Sequence, residues 1–167
     1  MNDNSWRLPR RHREGLVSAV SVGFFFILAG TILLSTPNVI DRVTEFFRDF
    51  TTIQVPGMSS VYLPAPSNPT SHPGIYSAVA LFCLVWGIFL IAMLVLRLAV
   101  HSPLNKKSDN AGDIAFWLGS YYLVSTMLID RSIAYETWFG FWAGIVVLGG
   151  ISLIIRAIVL ATARVRT

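Results

Sequence analysis

Residues 76–100 read YSAVALFCLVWGIFLIAMLVLRLAV, and the only formal charge among them is Arg97, close to the end. About twenty apolar residues rising 1.5 Å each cover the roughly 30 Å hydrocarbon layer of a bilayer. The run is therefore long enough to cross a membrane and too long for an ordinary core helix. Reading outward from this stretch, the rest of the chain sorts into further apolar runs and the polar segments that join them.

The composition agrees. The 167 residues are 54% hydrophobic and 13% charged, with a mean hydropathy of +0.61, whereas soluble domains run at roughly 45–50% apolar and 25% charged. The length corresponds to one domain and leaves no room for a soluble catalytic domain beside several spans. A net charge of +4 invites a nucleic-acid reading, but the charges lie at the ends of apolar runs, where a membrane accounts for them, and no nucleic-acid partner is expected. Cys83 is the one cysteine, so an internal disulfide, a CxxC pair and a thiolate metal cluster are excluded.

Ahead of this stretch, the run Leu16 to Leu34 is free of charge and exceeds the 7–15 residues usual for a signal-peptide core, so it reads as a retained span. Gly15, Ala19 and Gly23 recur every four residues on it, and such a row of small residues lets helices approach closely in lipid. Thr36-Pro37-Asn38 ends that helix. In the segment NVIDRVTEFFRDF that follows, Val39, Ile40, Val43, Phe46, Phe47 and Phe50 fall on one face and Asp41, Arg42, Glu45, Arg48 and Asp49 on the other. Arg42, Glu45 and Arg48 alternate in sign at a spacing that supports ion pairing. The stretch IQVPGMSSVYL predicts a small hairpin about Pro56-Gly57, and the proline-rich LPAPSNPTSHPG an extended, stiff connection. His72, with no carboxylate or cysteine near it in sequence, reads as a solvated loop histidine rather than a metal ligand.

Beyond residue 100 the run Ile114 to Ile129 is shorter and more polar, with Asp109 or Asn110 as its expected cap. Its polar content places it inside the helix assembly. Trp138 to Ile155 is the fourth run, on which Gly140, Gly144, Leu148, Ser152 and Arg156 repeat every four residues as a second packing face. The expected organisation is a basic tail 1–15, a span 16–36, an outer loop 37–75 holding an amphipathic helix 38–50, a span 76–100, an inner loop 101–113, a span 114–130, a short outer loop 131–137, a span 138–161 and a tail 162–167. The fold class is all-α, an integral membrane four-helix bundle.

Lysines and arginines set the orientation. With both termini cytoplasmic, Arg7, Arg10, Arg11, Arg13, Arg97, Lys106, Lys107, Arg156, Arg164 and Arg166 fall inside, and only Arg42, Arg48 and Arg131 outside, which obeys the positive-inside rule and predicts a multi-pass protein of the cell membrane. Tyr76, Tyr135, Trp138 and Trp142 gather at the outer ends as an aromatic belt. Arg97, Lys106, Lys107 and Arg156 lie near the inner headgroups, as anchors to the lipid bilayer.

No span carries an ionisable group at mid-depth, where intramembrane catalysis or proton coupling needs one. Nor is there a GxSxG, HExxH or phosphate-loop pattern, so no catalytic, cofactor-binding or metal-binding residue is assigned. The deepest polar group is Tyr121, Tyr122, Ser125 and Thr126; it serves either as interhelical hydrogen bonding or as a small polar path.

Four spans with a long first loop resemble claudins and tetraspanins, but the cysteines that staple those loops are missing. VYLPAPSNP, LRLAVHSPLNKK and FWLGSYYL together resemble small uncharacterised multi-pass membrane proteins of archaea, a resemblance that implies no activity. The sequence thus predicts a non-enzymatic membrane protein that forms a homo-oligomer or joins other membrane subunits as an assembly or accessory subunit. An oligomeric channel or small-solute transporter is the alternative.

Overall fold

The structure, a computed structural model, describes residues 10–100, 102–129 and 134–164; Arg7, Arg131 and Arg166 of the charge argument lie outside them. The chain forms helix α1 (Arg10–Ser35), helix α2 (Val39–Arg48), strands β1 (Phe50–Gln54) and β2 (Tyr62–Pro66), and a 3-10 turn (Pro69–Ser71). Helices α3 (Pro73–Ala99), α4 (Leu104–Leu123) and α5 (Tyr135–Arg164) follow, with a π-helical turn at Val124–Leu128 behind α4. It is an all-α protein carrying one small hairpin. Three helical stretches are long and apolar enough to cross a membrane: Gly15–Ser35, Pro73–Ala99 and Tyr135–Thr162.

Helix α4 differs from the sequence expectation in a way that has a physical cause. It begins at Leu104, with Pro103 before its first turn and the amides of Lys106 and Lys107 bonded to the Pro103 carbonyl. Residues 104–113, expected as an inner loop, are helical, and neither Asp109 nor Asn110 is a cap. The polar residues that lower the local hydropathy are turned inward instead of marking a helix end: Ser108, Asn110 and Gly112 are buried. Asn110 Nδ2 donates to the Leu90 carbonyl of α3 (2.8 Å), a type of interhelical bond that contributes about 0.6–2 kcal/mol in a membrane.

Helix α4 packs along both α3 and α5, antiparallel to each. Against α5 the pairing is glycine on one side and a larger group on the other, with the glycine on α4 at one end and on α5 at the other. Gly112 meets Arg156 and the Ser152 carbonyl, Gly119 meets Leu148, Leu123 meets Gly144, and Met127 meets Gly140. The row Gly140, Gly144, Leu148, Ser152, Arg156 is thus the α4-facing side of α5. On the other flank Gly87 of α3 receives Leu118. Glycine is needed at Gly112 because a Cβ there would stand 2.8 Å from the Ser152 carbonyl oxygen, which is backbone and cannot move aside.

Helix α1 leans on α3 through aromatic rings. Phe24 stacks on Phe89 with centroids 4.0 Å apart, Phe25 meets Phe82 and Trp86 edge-on at 5.7 Å, and Leu28 is buried. These contacts use one face only. Gly15, Ala19 and Gly23 lie exposed on another, and a Cβ at Gly15 or Gly23 would meet nothing within 4 Å.

Gly112→Val is expected to lower thermal stability in detergent by about 1–3 kcal/mol, since it forces α4 from α5. Gly149→Ala, where a Cβ has open space, is expected to be neutral or stabilising, and parallel melting curves of the two variants check both.

Candidate functional site at the hairpin end

The hairpin is built by turn chemistry. Val55-Pro56-Gly57-Met58 closes with the Met58 amide on the Val55 carbonyl (3.0 Å), and Gly57 adopts φ 80°, the left-handed conformation that the third residue of such a turn requires. Gln54 Nε2 donates to the Met58 and Ser59 carbonyls, holding the loop. The strands pair antiparallel, Phe50 opposite Pro66 and Gln54 opposite Tyr62, and the prolines are tolerated because a two-stranded ribbon has free edges.

Helix α2 and this hairpin fold over the ends of α3, α4 and α5. Ala65, Tyr76, Ala80, Val124, Leu128, Trp138 and Phe141 form the buried cluster there, with Phe46, Phe50, Ile53 and Tyr121 packed against it. Phe46 touches His72, Tyr76 and Trp138 in one aromatic group. Tyr76 and Trp138, read from sequence as part of an interfacial belt, are core residues, each 3% exposed. The reason is the cover that Phe46, Phe50 and the hairpin provide. Trp142 remains outside, and Tyr135 Oη donates to the Ser67 carbonyl (2.7 Å). The apolar face of α2 is divided: Phe46 points to the cluster, whereas Ile40 and Phe47 are exposed.

The lock on this cap is a carboxylate. Asp49 Oδ2 accepts the Asn68 backbone N–H (3.0 Å) and stands 3.0 Å from His72 Nε2. An ionised carboxylate can only accept, so His72 donates from Nε2. The Asp49 carbonyl receives both the amide and the hydroxyl of Ser67 (2.8 and 2.9 Å). One residue thereby ties the end of α2 to the return strand and to the start of α3. His72, expected as a solvated loop residue, has a side chain only 9% exposed. Its partner lies 23 positions upstream, so the pair is absent from any local pattern. The Asn68 amide first, and the His72 ring second, hold the Asp49 carboxyl below the ordinary carboxylate range.

An Asp–His pair also occurs in hydrolytic triads, but there a hydroxyl must face the imidazole. The neighbouring Ser71 Oγ is spent on the Asn68 carbonyl. Among the described residues no group of three histidine, cysteine or acidic side chains is placed to hold a metal. Beside the clasp, between α2 and the start of α3, lies a polar cavity of about 380 Å³ lined by Asn38, Asp41, Arg42, Glu45, Ser71, His72, Gly74 and Ile75. The ion pairing expected among Arg42, Glu45 and Arg48 does not form among the described residues. Arg42 turns instead onto Gly74.

The remaining sequence candidates divide as follows. Tyr121 and Ser125 are half-buried and Tyr121 packs on the buried cluster, while Tyr122 and Thr126 are exposed, with Thr126 Oγ1 donating to the Tyr122 carbonyl (2.8 Å). Ser125 and Thr126 sit in the π turn, closed by the Ile129 amide on the Val124 carbonyl (3.1 Å). At the opposite end Arg156 Nη2 donates to Asp113 Oδ1 (2.6 Å), with Asp109 3.9 Å from Nη1, so its charge is used within the protein. Arg97 donates to the Lys106 carbonyl, and Lys106 and Lys107 stand in the first turn of α4. No family model, curated protein or solved structure matches the chain.

Because Asp49 has a depressed pKa in the folded state, its contribution is complete above the ordinary carboxylate pKa of about 3.9 and is lost as pH falls through the folded value. Hairpin stability is thus expected to be insensitive to Asp49 from neutral pH to about 4.5 and to decline below. Asp49→Ala is expected to speed hydrogen exchange of the 50–66 amides about tenfold at pH 7, equivalent to about 1.4 kcal/mol. Exchange mass spectrometry reads both.

Proposed function

We propose that the protein is a non-enzymatic, four-span membrane protein that works as an assembly or accessory subunit, in a homo-oligomer or beside other membrane subunits. In this reading α4 with its π turn is the fourth span, shielded by α3 and α5 so that its polar residues need no lipid contact. Both termini lie in the cytoplasm and the hairpin end faces outward, following the charge bias.

The observation that carries the reading is the way α1 is attached. It uses phenylalanines on one face against α3 and leaves Gly15, Ala19 and Gly23 uncovered on another. In lipid such a row offers little to acyl chains and much to a second helix backbone. On α3, α4 and α5, by contrast, Gly87, Gly112, Gly119 and Gly144 are filled by the neighbouring helix and only the adjacent Gly149 and Gly150 of α5 are open, so α1 offers the longer uncovered row for lateral docking. The channel alternative finds less support within one protomer, because Tyr121 packs against the cluster that holds Val124, Leu128 and Phe141.

Protein extracted gently from its own membrane is expected to run as a complex larger than one chain in native mass spectrometry. Ala19→Leu combined with Gly23→Ile is expected to weaken that complex at least tenfold, while Gly149→Ala leaves it intact. A lone monomer before any substitution contradicts the reading.

A further inference from the structure

The polar cavity between α2 and the first turn of α3 holds charges that the Asp49–His72 clasp does not use. Arg42 lies so close on Gly74 that a Cβ at that position would collide with the guanidinium. Among the described residues the Arg42 side chain makes no ion pair and no hydrogen bond, although Asp41 and Glu45 flank it on the same helix. The Ile75 and Tyr76 amides are both taken by the His72 carbonyl, whereas the Gly74 amide has no backbone acceptor. A bare guanidinium thus stands at the positive end of a long helix, beside a free N–H, in a cavity of about 380 Å³.

One oxyanion seated between them would engage both donors. The guanidinium fork suits a phosphate, and the Gly74 amide supplies a further donor. A plain anion is nonetheless poorly matched to this cavity, because Asp41 and Glu45, one turn apart on α2, line it too and have no cationic partner among the described residues. The charge pattern asks for an oxyanion and an ammonium on the same ligand. His72, nine-tenths buried and fixed by Asp49, gives the cavity a rigid wall.

Position narrows the chemistry further. The cavity opens at the first turn of α3, a helix long and apolar enough to cross a bilayer, which is the depth of lipid headgroups. We propose that the cavity binds a phosphoethanolamine unit, its phosphate at Arg42 and the Gly74 amide and its ammonium at Asp41 and Glu45. The unit arrives either as the headgroup of a bilayer lipid or as a free solute. The site rests on α3 crossing the membrane and is independent of the assembly reading, since it lies away from the open face of α1.

The test is native mass spectrometry of the full chain in nanodiscs holding phosphatidylethanolamine, phosphatidylcholine and phosphatidylglycerol at equal mole fractions. The expected result is at least tenfold preferential retention of phosphatidylethanolamine: phosphatidylcholine has no ammonium protons to give Asp41 and Glu45, and phosphatidylglycerol has no ammonium. Arg42→Gln and Glu45→Gln are each expected to abolish the preference. Both side chains are exposed, and unchanged hydrogen exchange in residues 50–66 shows that the cap remains folded. Free phosphoethanolamine is then added as a competitor. Displacement of the lipid identifies the headgroup as the recognised unit, while Arg42-dependent binding of phosphoethanolamine without lipid preference identifies the soluble source. Equal retention of the three lipids with no binding of phosphoethanolamine, or variants that bind as the unaltered chain does, overturns the proposal.

Discussion

The close approach of α4 and α5 is the constraint on which the other contacts depend. It exists because Gly112 and Gly119 on α4, and Gly140 and Gly144 on α5, leave space that the opposite helix fills. Packing of this kind has no slack: a knob such as Leu148 fits only where a glycine faces it, so the register of the pair is fixed along its length. The ion pair of Arg156 with Asp113 closes the same register at one end, and the Asn110 bond to the Leu90 carbonyl holds α3 to the other side of α4. Polar groups that burden an isolated helix therefore become the attachments of a shared one.

The register of α3, α4 and α5 in turn brings Tyr76, Val124, Leu128, Trp138 and Phe141 together at one end. That group is the seat on which Phe46 and Phe50 rest, and the hairpin follows because Phe50 begins its first strand. Asp49 then links the cap to the base of α3 through Asn68 and His72. The cap has few buried residues of its own and α2 has none, so its order is borrowed from the helices below. The cavity lies where the polar face of α2 meets the start of α3.

Much of the helical layout was legible because periodicity survives in sequence. The small residues of α5 at every fourth position mark the side that faces α4, and Pro56-Gly57 marks a turn whatever surrounds it. What stayed hidden was pairing across distance. Asp49 and His72 are meaningful only together, and the fold alone brings them together. The start of α4 was misplaced for a related reason: hydropathy treats Ser108 and Asn110 as signs of a loop, whereas their partners on α3 and in the helix itself satisfy them indoors. Tyr76 and Trp138 looked like membrane-surface aromatics because the cap that covers them comes from another part of the chain.

The role proposed for α4 is that of a fourth span, carried between two more apolar helices. It is tested most directly by the depth of α4 in a bilayer, measured by electron paramagnetic resonance on nitroxides placed singly at Asn105, Ala111, Ala115, Tyr122 and Thr126 in a Cys83→Ser background. The account predicts oxygen accessibility that peaks between Ala115 and Tyr122, with Asn105 and Thr126 reached by a membrane-impermeant relaxant from opposite faces of sealed vesicles. Accessibility to the aqueous relaxant along the whole helix, or both ends reached from the same face, would contradict it.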